Sequence, residues 1–301
     1  MILSASRRTD IPAFYGPWFA ERVRAGFCRV PNPFNPRQIS RISLRPEDVD
    51  ALVFWTRDPR SLLPHLGVLD RRGIPCVFLF TLMDNPPFLD PGMPPLTERL
   101  AAFRALSDRL GPERVIWRYD PIVLSNRTGP DFHRKTFARL AAELRGRTRR
   151  CVVSLLDRYA KVRRRFAPLV REGLALADWD PIRHGPLMAD LARRAADNGI
   201  AVQSCAEAVD LTPFGISPGA CVDGQLLARL FGVPDPGRTD PGQRKRCRCA
   251  PSRDIGMYDT CVFACRYCYA TGRPEAAARR FRSHRPDESA LIPLPPPSTG
   301  D

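Results

Sequence analysis

Six short apolar runs, Ile2 to Ala5, Ala51 to Thr56, Cys76 to Leu82, Val115 to Tyr119, Cys151 to Leu155 and Ala201 to Ser204, recur along the chain with helical patterns between them. This spacing is that of βα units, and it constrains the fold more than any other feature. Helices are expected over Pro17 to Ala25, Pro59 to Asp70, Leu96 to Leu110, Phe132 to Leu144, Arg158 to Arg171 and Leu187 to Asn198. In the third, Leu96, Leu100, Phe103, Leu106 and Leu110 fall at three- and four-residue steps, the stripe that packs a helix on a sheet. Runs such as CVFLFTL are apolar on both faces, as parallel strands are when helices cover one side and a barrel interior the other. The expected fold is α/β: a (β/α)6-type partial TIM barrel over residues 1–210, in a chain of 301 residues that can bury one substantial core.

Polar residues follow each run, at the strand ends where barrel enzymes hold their sites. Ser6, Arg7, Arg8, Thr9 and Asp10 follow the first, Thr56 and Arg57 the second, Thr81 and Asp84 the third. Arg118 and Asp120 close the fourth, Asp157 the fifth, and Cys205 and Glu207 the sixth. Arg7, Arg8, Arg118, Asp120 and Glu207 are the candidate catalytic residues, while Asp10, Asp84 and Asp157 are also well placed to cap helices.

Ten cysteines without an export signal point to metal or redox chemistry rather than disulfides. Cys261, Cys265 and Cys268 lie in CVFACRYCYA with C-x3-C-x2-C spacing, and Tyr267 precedes the last. Three thiolates can hold three irons of a [4Fe-4S] cubane and leave the fourth open to an exogenous ligand, although C-x2-C also occurs in zinc sites and redox pairs. Residues 211–272 are therefore expected to form a cysteine-rich, cluster-binding segment that closes on the barrel. Cys205, Cys221, Cys247 and Cys249 make a second group whose long gaps lack a diagnostic spacing, so an auxiliary iron-sulfur cluster, zinc and no metal all stay open. Arg244, Lys245, Arg246 and Arg248 beside it would favour thiolates. Cys28, Cys76 and Cys151 fall in core segments and are expected to be buried small hydrophobes.

The cysteine motif, with its aromatic residue before the third thiol, resembles the signature of the radical S-adenosylmethionine (SAM) enzymes. The resemblance implies that Cys261, Cys265 and Cys268 ligate the cluster, that SAM chelates the open iron and that Tyr267 lies against the SAM adenine. It also implies reductive cleavage of SAM to a 5'-deoxyadenosyl radical that takes hydrogen from substrate, with electrons from a donor such as flavodoxin or ferredoxin. Six (β/α) units are the core known for that superfamily. Two departures stand out: the superfamily's cluster loop follows the first strand whereas these cysteines follow the sixth, and no GGE-like stretch is visible. The stretches SASRRTDIPAFY, ISLRPEDVDALVFWTRDP, ERVIWRYDPI, QSCAE and CRCAPSRDIGMYDTCVFACRYCYA resemble, over residues 2 to about 271, a bacterial family catalogued only as a domain of unknown function, number 1848, regarded as radical-SAM-like.

A net charge of +15 and a pI near 10.0 fit a polyanionic partner. All but three of the 47 cationic side chains are arginine, however, a skew that a GC-rich genome would impose by itself. Two rivals to the enzyme of unknown substrate follow: a nucleic-acid-binding protein with structural zinc or a structural cluster, and a radical SAM DNA repair lyase. The isolated histidines and the lack of a P-loop, GxGxxG or Ser-His-Asp order leave hydrolase, kinase and nicotinamide dehydrogenase readings without support. Neither a secretory signal nor a run of about 18 apolar residues is present, so a cytoplasmic protein without a membrane span is expected. The stretch from 273 to 301, ending LIPLPPPSTGD, is expected to be a flexible Pro-rich tail.

Overall fold

The computed structural model describes residues 1–294. Its strands are β1 (Ile2–Ala5), β2 (Phe27–Pro31), β3 (Ile39–Ser43), β4 (Ala51–Thr56), β5 (Cys76–Thr81), β6 (Val115–Ile122), β7 (Arg150–Leu155), β8 (Ala201–Cys205), β9 (Ser217–Gly219) and β10 (Arg253–Asp254). Its helices are α1 (Ile11–Phe14), α2 (Gly16–Ala25), α3 (Gly67–Arg72), α4 (Leu96–Leu110), α5 (Pro130–Glu143), α6 (Ala160–Arg171), α7 (Pro181–Ala196), α8 (Gly224–Phe231) and α9 (Pro274–Ser283). Eight strands form one sheet in the order β10-β1-β4-β5-β6-β7-β8-β9, with every neighbouring pair parallel. The six expected runs are its six central strands, laid side by side in chain order. A separate antiparallel hairpin, β2–β3, was not anticipated.

Alternation along the strands splits the core between the two faces. Leu52, Phe54, Phe78, Phe80, Trp117, Tyr119 and Val153 pack on the side of α2, α4, α5 and α7. Ile2, Val53, Trp55, Val77, Leu79, Ile116 and Val152 point the other way, onto Val222, Leu226, Leu227, Cys249 and Ala250. Helix α8 and the cysteine-rich segment thus cover the second face, where a barrel interior was expected. Each fully buried Phe or Leu contributes roughly 1.5–3 kcal/mol by leaving water, which is why these positions tolerate no charge.

Helix ends follow local chemistry. Asp10 caps α1, accepting from Ala13 N at 3.0 Å, and Asp223 caps α8 through Leu226 N. Gly26 ends α2 at φ +76°, a conformation that favours a residue without Cβ. The helix expected over Pro59 to Asp70 is broken into two 3-10 turns, Pro59–Ser61 and Leu63–His65, before α3, since Pro64 has no N–H to continue a ladder. Cys28, Cys76 and Cys151 are buried as expected.

The tail reading is corrected over most of its length. Helix α9 starts at Pro274, Ala277 is fully buried, and Phe281 packs edge-on against Phe14 and Tyr15. Trp18 Nε1 donates to Glu288 O, Arg22 to Asp287 O, and Arg29 N to Ser289 O. Residues 295–301 of that reading lie outside the described residues. No helix among the described residues is long and apolar enough to cross a membrane.

One contact joins the two ends of the chain. The Asp254 carboxylate on β10 accepts Ser4 Oγ, Ser6 Oγ, Arg7 N and Gly256 N at 2.7–2.9 Å and pairs with Arg8 Nε at 3.2 Å. Gly256 sits so close to β1 that a Cβ there would collide with Ser6 Oγ. Replacing Asp254 with Ala would strand four donors and a guanidinium in a nearly closed site. The expected loss, read by chemical denaturation, is about 3–5 kcal/mol; a change under about 1 kcal/mol would contradict the anchoring role.

Candidate functional site

A cavity of about 840 Å³ opens at the C-terminal ends of the strands. Its wall runs from Ser6–Asp10 after β1, through Arg57, Thr81, Arg118, Asp120 and Ser154, to Cys205 at the end of β8. The loop that follows β10 closes it with Cys261, Phe263, Cys265, Tyr267, Cys268 and Tyr269, and Cys221, Cys247 and Cys249 complete the lining. Both cysteine groups therefore face one space.

The position of the first group follows from the parallel pairing of β10 with β1, which carries the loop after β10 to the same end of the sheet as Ser6–Asp10. Tyr15 Oη donates to Thr260 O at 2.6 Å, and Arg165 of α6 donates to Thr271 O and Ala264 O, so the loop is held from both sides. Gly92 passes beneath it, where a Cβ would stand 2.6 Å from Phe263 O. Ala264 takes φ +58°, and the turn this makes brings Cys261, Cys265 and Cys268 within electrostatic range of one another.

Buried ionic chemistry backs this loop. Arg57, 9% exposed, donates from Nη1 to Cys265 Sγ at 3.0 Å, to Asp90 Oδ1 at 2.8 Å and to the Tyr267 hydroxyl, which itself donates to Asp90 Oδ1. Asn85 Nδ2 donates to Asp90 Oδ2 at 2.9 Å. Burial works against both charges, but Asp90, Tyr267 and Cys265 keep the Arg57 guanidinium charged, and Arg57 holds the Asp90 carboxyl below the usual range. Burial also pushes the Cys265 thiol up to about 12 while Arg57 pulls it down, and burial with nearby Asp10 raises Cys261. Such thiols stay protonated unless a further cation joins them, as a metal ion would.

The candidate catalytic residues divide. Arg7 stacks over Trp55 at 5.3 Å, faces Cys249 and Cys221, and leaves Nη2 buried without a partner. Arg118 pairs with Asp120, which also accepts from Ser154 Oγ, and Arg118 Nε is likewise unpartnered. Arg8 lines the cavity but spends its guanidinium on Asp254. Glu207 is absent from the wall and instead accepts Leu155 N at 3.0 Å, bracing β7 against the loop after β8. Of the three aspartates expected to cap, Asp84 pairs with Arg139 and Asp157 with Arg244. Sequence reasoning did not single out Arg57 or reach Asp90; the one available signal was the charge of Arg57 directly after an apolar strand.

In the second group, Cys205 Sγ and Cys221 Sγ stand 3.0 Å apart, and Val222 N donates to Cys249 Sγ at 3.3 Å. The thiols of Cys205, Cys221 and Cys247 turn toward Cys249 and hold its pKa well below the usual thiol range. Among the described residues, no group of three or more His, Cys, Asp or Glu side chains stands, as placed, where it could hold a metal ion.

Burial raises the Glu207 carboxyl from its ordinary 4.5 to about 7. Between those values the folded chain binds the proton that the unfolded chain has released, so this group's contribution to stability falls as pH rises from about 4.5 to about 7. Glu207→Gln keeps an acceptor for Leu155 N and should flatten that slope in denaturation midpoints measured across the window. Parallel slopes in wild type and variant would contradict the assignment.

The model of the family described as "Domain of unknown function (DUF1848)" matches residues 2–270. No curated protein and no solved structure matches the chain. A match over nearly all of the sheet and the whole cysteine loop means that the chain belongs to this family of unknown function.

Proposed function

We propose that the cavity is the active site of a radical-SAM-like iron-sulfur enzyme, with Cys261, Cys265 and Cys268 as ligands of a [4Fe-4S] cluster. The observation that carries this reading is a set of three thiols, and only three, gathered on the loop after β10 and turned into a cavity at the strand ends. The donor set fits the group: Arg57 hydrogen-bonds Cys265 Sγ and Thr271 N donates to Cys268 Sγ at 3.3 Å, as donors do to sulfurs that carry negative charge. A cluster held by these three thiols would supply one-electron reduction of SAM to methionine and a 5'-deoxyadenosyl radical, the hydrogen-abstracting species of this proposal.

The chain's own residues would then bind and shield. Arg57 Nε and Nη2, Arg7 Nη2, Thr9 Oγ1 and Arg118 Nε are buried donors without partners around the cavity, suited to the SAM carboxylate and to an anionic or polar substrate. Tyr267 is fixed by Asp90 and Arg57 with its ring in the cavity wall, where a nucleobase can lie against it. Phe263, Leu155 and Leu156 exclude water from the same space. In this reading the six consecutive parallel strands are a (β/α)6-type partial barrel, and a reduced flavodoxin or ferredoxin supplies the electron.

Anaerobic reconstitution with iron and sulfide, followed by dithionite and SAM, should yield 5'-deoxyadenosine. Cys261→Ala, Cys265→Ala and Cys268→Ala should each abolish it. A reconstituted brown protein that leaves SAM intact would overturn the reading.

A further inference from the structure

The two cysteine groups differ in spacing, and the difference assigns them different occupants. Among the described residues, no thiol–thiol hydrogen bond joins Cys261, Cys265 and Cys268, whereas one joins Cys205 and Cys221. Cys205 and Cys221 are in direct thiol contact at 3.0 Å, and Cys249 and Cys247 belong to the same packed cluster, with Cys249 Sγ accepting Val222 N. A cubane stands between its thiolates and keeps them well apart. A single tetrahedral ion with metal–sulfur bonds of about 2.3 Å holds its sulfurs about 3.8 Å from one another, so these thiols need only relax outward slightly to take one.

We propose that Cys205, Cys221, Cys247 and Cys249 form a second, closed metal centre that binds one zinc ion as a tetrathiolate. All four are free thiols, so no disulfide competes for them. They come from three separate places: the end of β8, the loop between β9 and α8, and the loop before β10. The last two are already tied together by Ala250 N to Val222 O at 2.8 Å.

Charge gives an independent argument. Arg7 and Arg118 both face this group, and each keeps a buried N–H without a partner. Four thiolates around a divalent ion carry a net double negative charge, which the unpartnered N–H groups of two adjacent guanidiniums would meet, beside the pairs that Arg118 makes with Asp120 and Arg7 with Asp240. With four protein ligands the ion has no open position, so its role is structural: it fastens the segment over the second face of the sheet and fixes Arg7 and Arg118 at the cavity wall.

The inference stands apart from the reading of the first group, and the test keeps them separate. The full-length protein, purified from zinc- and iron-sufficient cells, should contain about one zinc ion per chain, with about four sulfur neighbours at about 2.3 Å by zinc K-edge X-ray absorption. Cys221→Ser and Cys249→Ser should lose most of the zinc while keeping the visible absorbance and iron of the other centre. Wild-type protein that holds zinc but no iron would count against the first group alone, whereas zinc retained in either variant would overturn this proposal. The proposal is overturned by zinc-free wild-type protein with four titratable thiols at these positions, by a Cys205–Cys221 disulfide in mass spectrometry, or by iron sufficient for two clusters that falls by half in Cys249→Ser.

Discussion

The Asp254 carboxylate is the point on which the rest of the molecule depends. It collects two hydroxyls and a backbone N–H from the end of β1, a backbone N–H from Gly256 and the Arg8 guanidinium, so a segment 250 residues away becomes a strand neighbour of β1. Two residues of β pairing alone would not hold such a segment. Once it is held, the following loop stands over the strand ends, and the thiols at 261, 265 and 268 share a cavity with Arg7, Arg57 and Arg118. The unusual place of the cysteine motif in the sequence thus becomes an ordinary place in space, beside the first strand.

Electrostatics gives the arginines at this end of the sheet a common purpose. Arg57 serves Cys265, while Arg7 and Arg118 serve the group around Cys249. Each of these cations also has a carboxylate partner, Asp90 for Arg57, Asp120 for Arg118 and Asp240 for Arg7, so the N–H groups left without a partner are what remain for a further anion.

Most of the central strands were legible because CVFLFT and ALVFWT are apolar runs buried on both faces, while β8, AVQSC, is buried on one face and carried the weaker signal of alternation. β9 and β10 were not, since SPG and RD have no strand character and pair only because β8 and β1 offer open edges. The β2–β3 hairpin carried a signal in the alternation around Val30 and Ile42 that was overlooked. α9 was readable from the Pro start and the Ala run of PEAAARRFRS, but the prolines beyond it masked that pattern. In the site, Cys261, Cys265 and Cys268 were legible by spacing, and Arg7 and Arg118 by their place at strand ends, whereas the long gaps of the second cysteine group carried no such signal. Asp90 did not, because it lies in an irregular loop and matters only through Arg57 and Tyr267, partners at separations of 33 and 177 residues.

The central claim is that the loop after β10 leaves one corner of a cluster open toward the cavity. Electron paramagnetic resonance of the dithionite-reduced, anaerobically prepared protein tests it most directly. Adding SAM should shift the g-values of the cluster signal, because the cosubstrate enters the coordination of the open iron. A reduced cluster whose spectrum is the same with and without SAM would contradict the account.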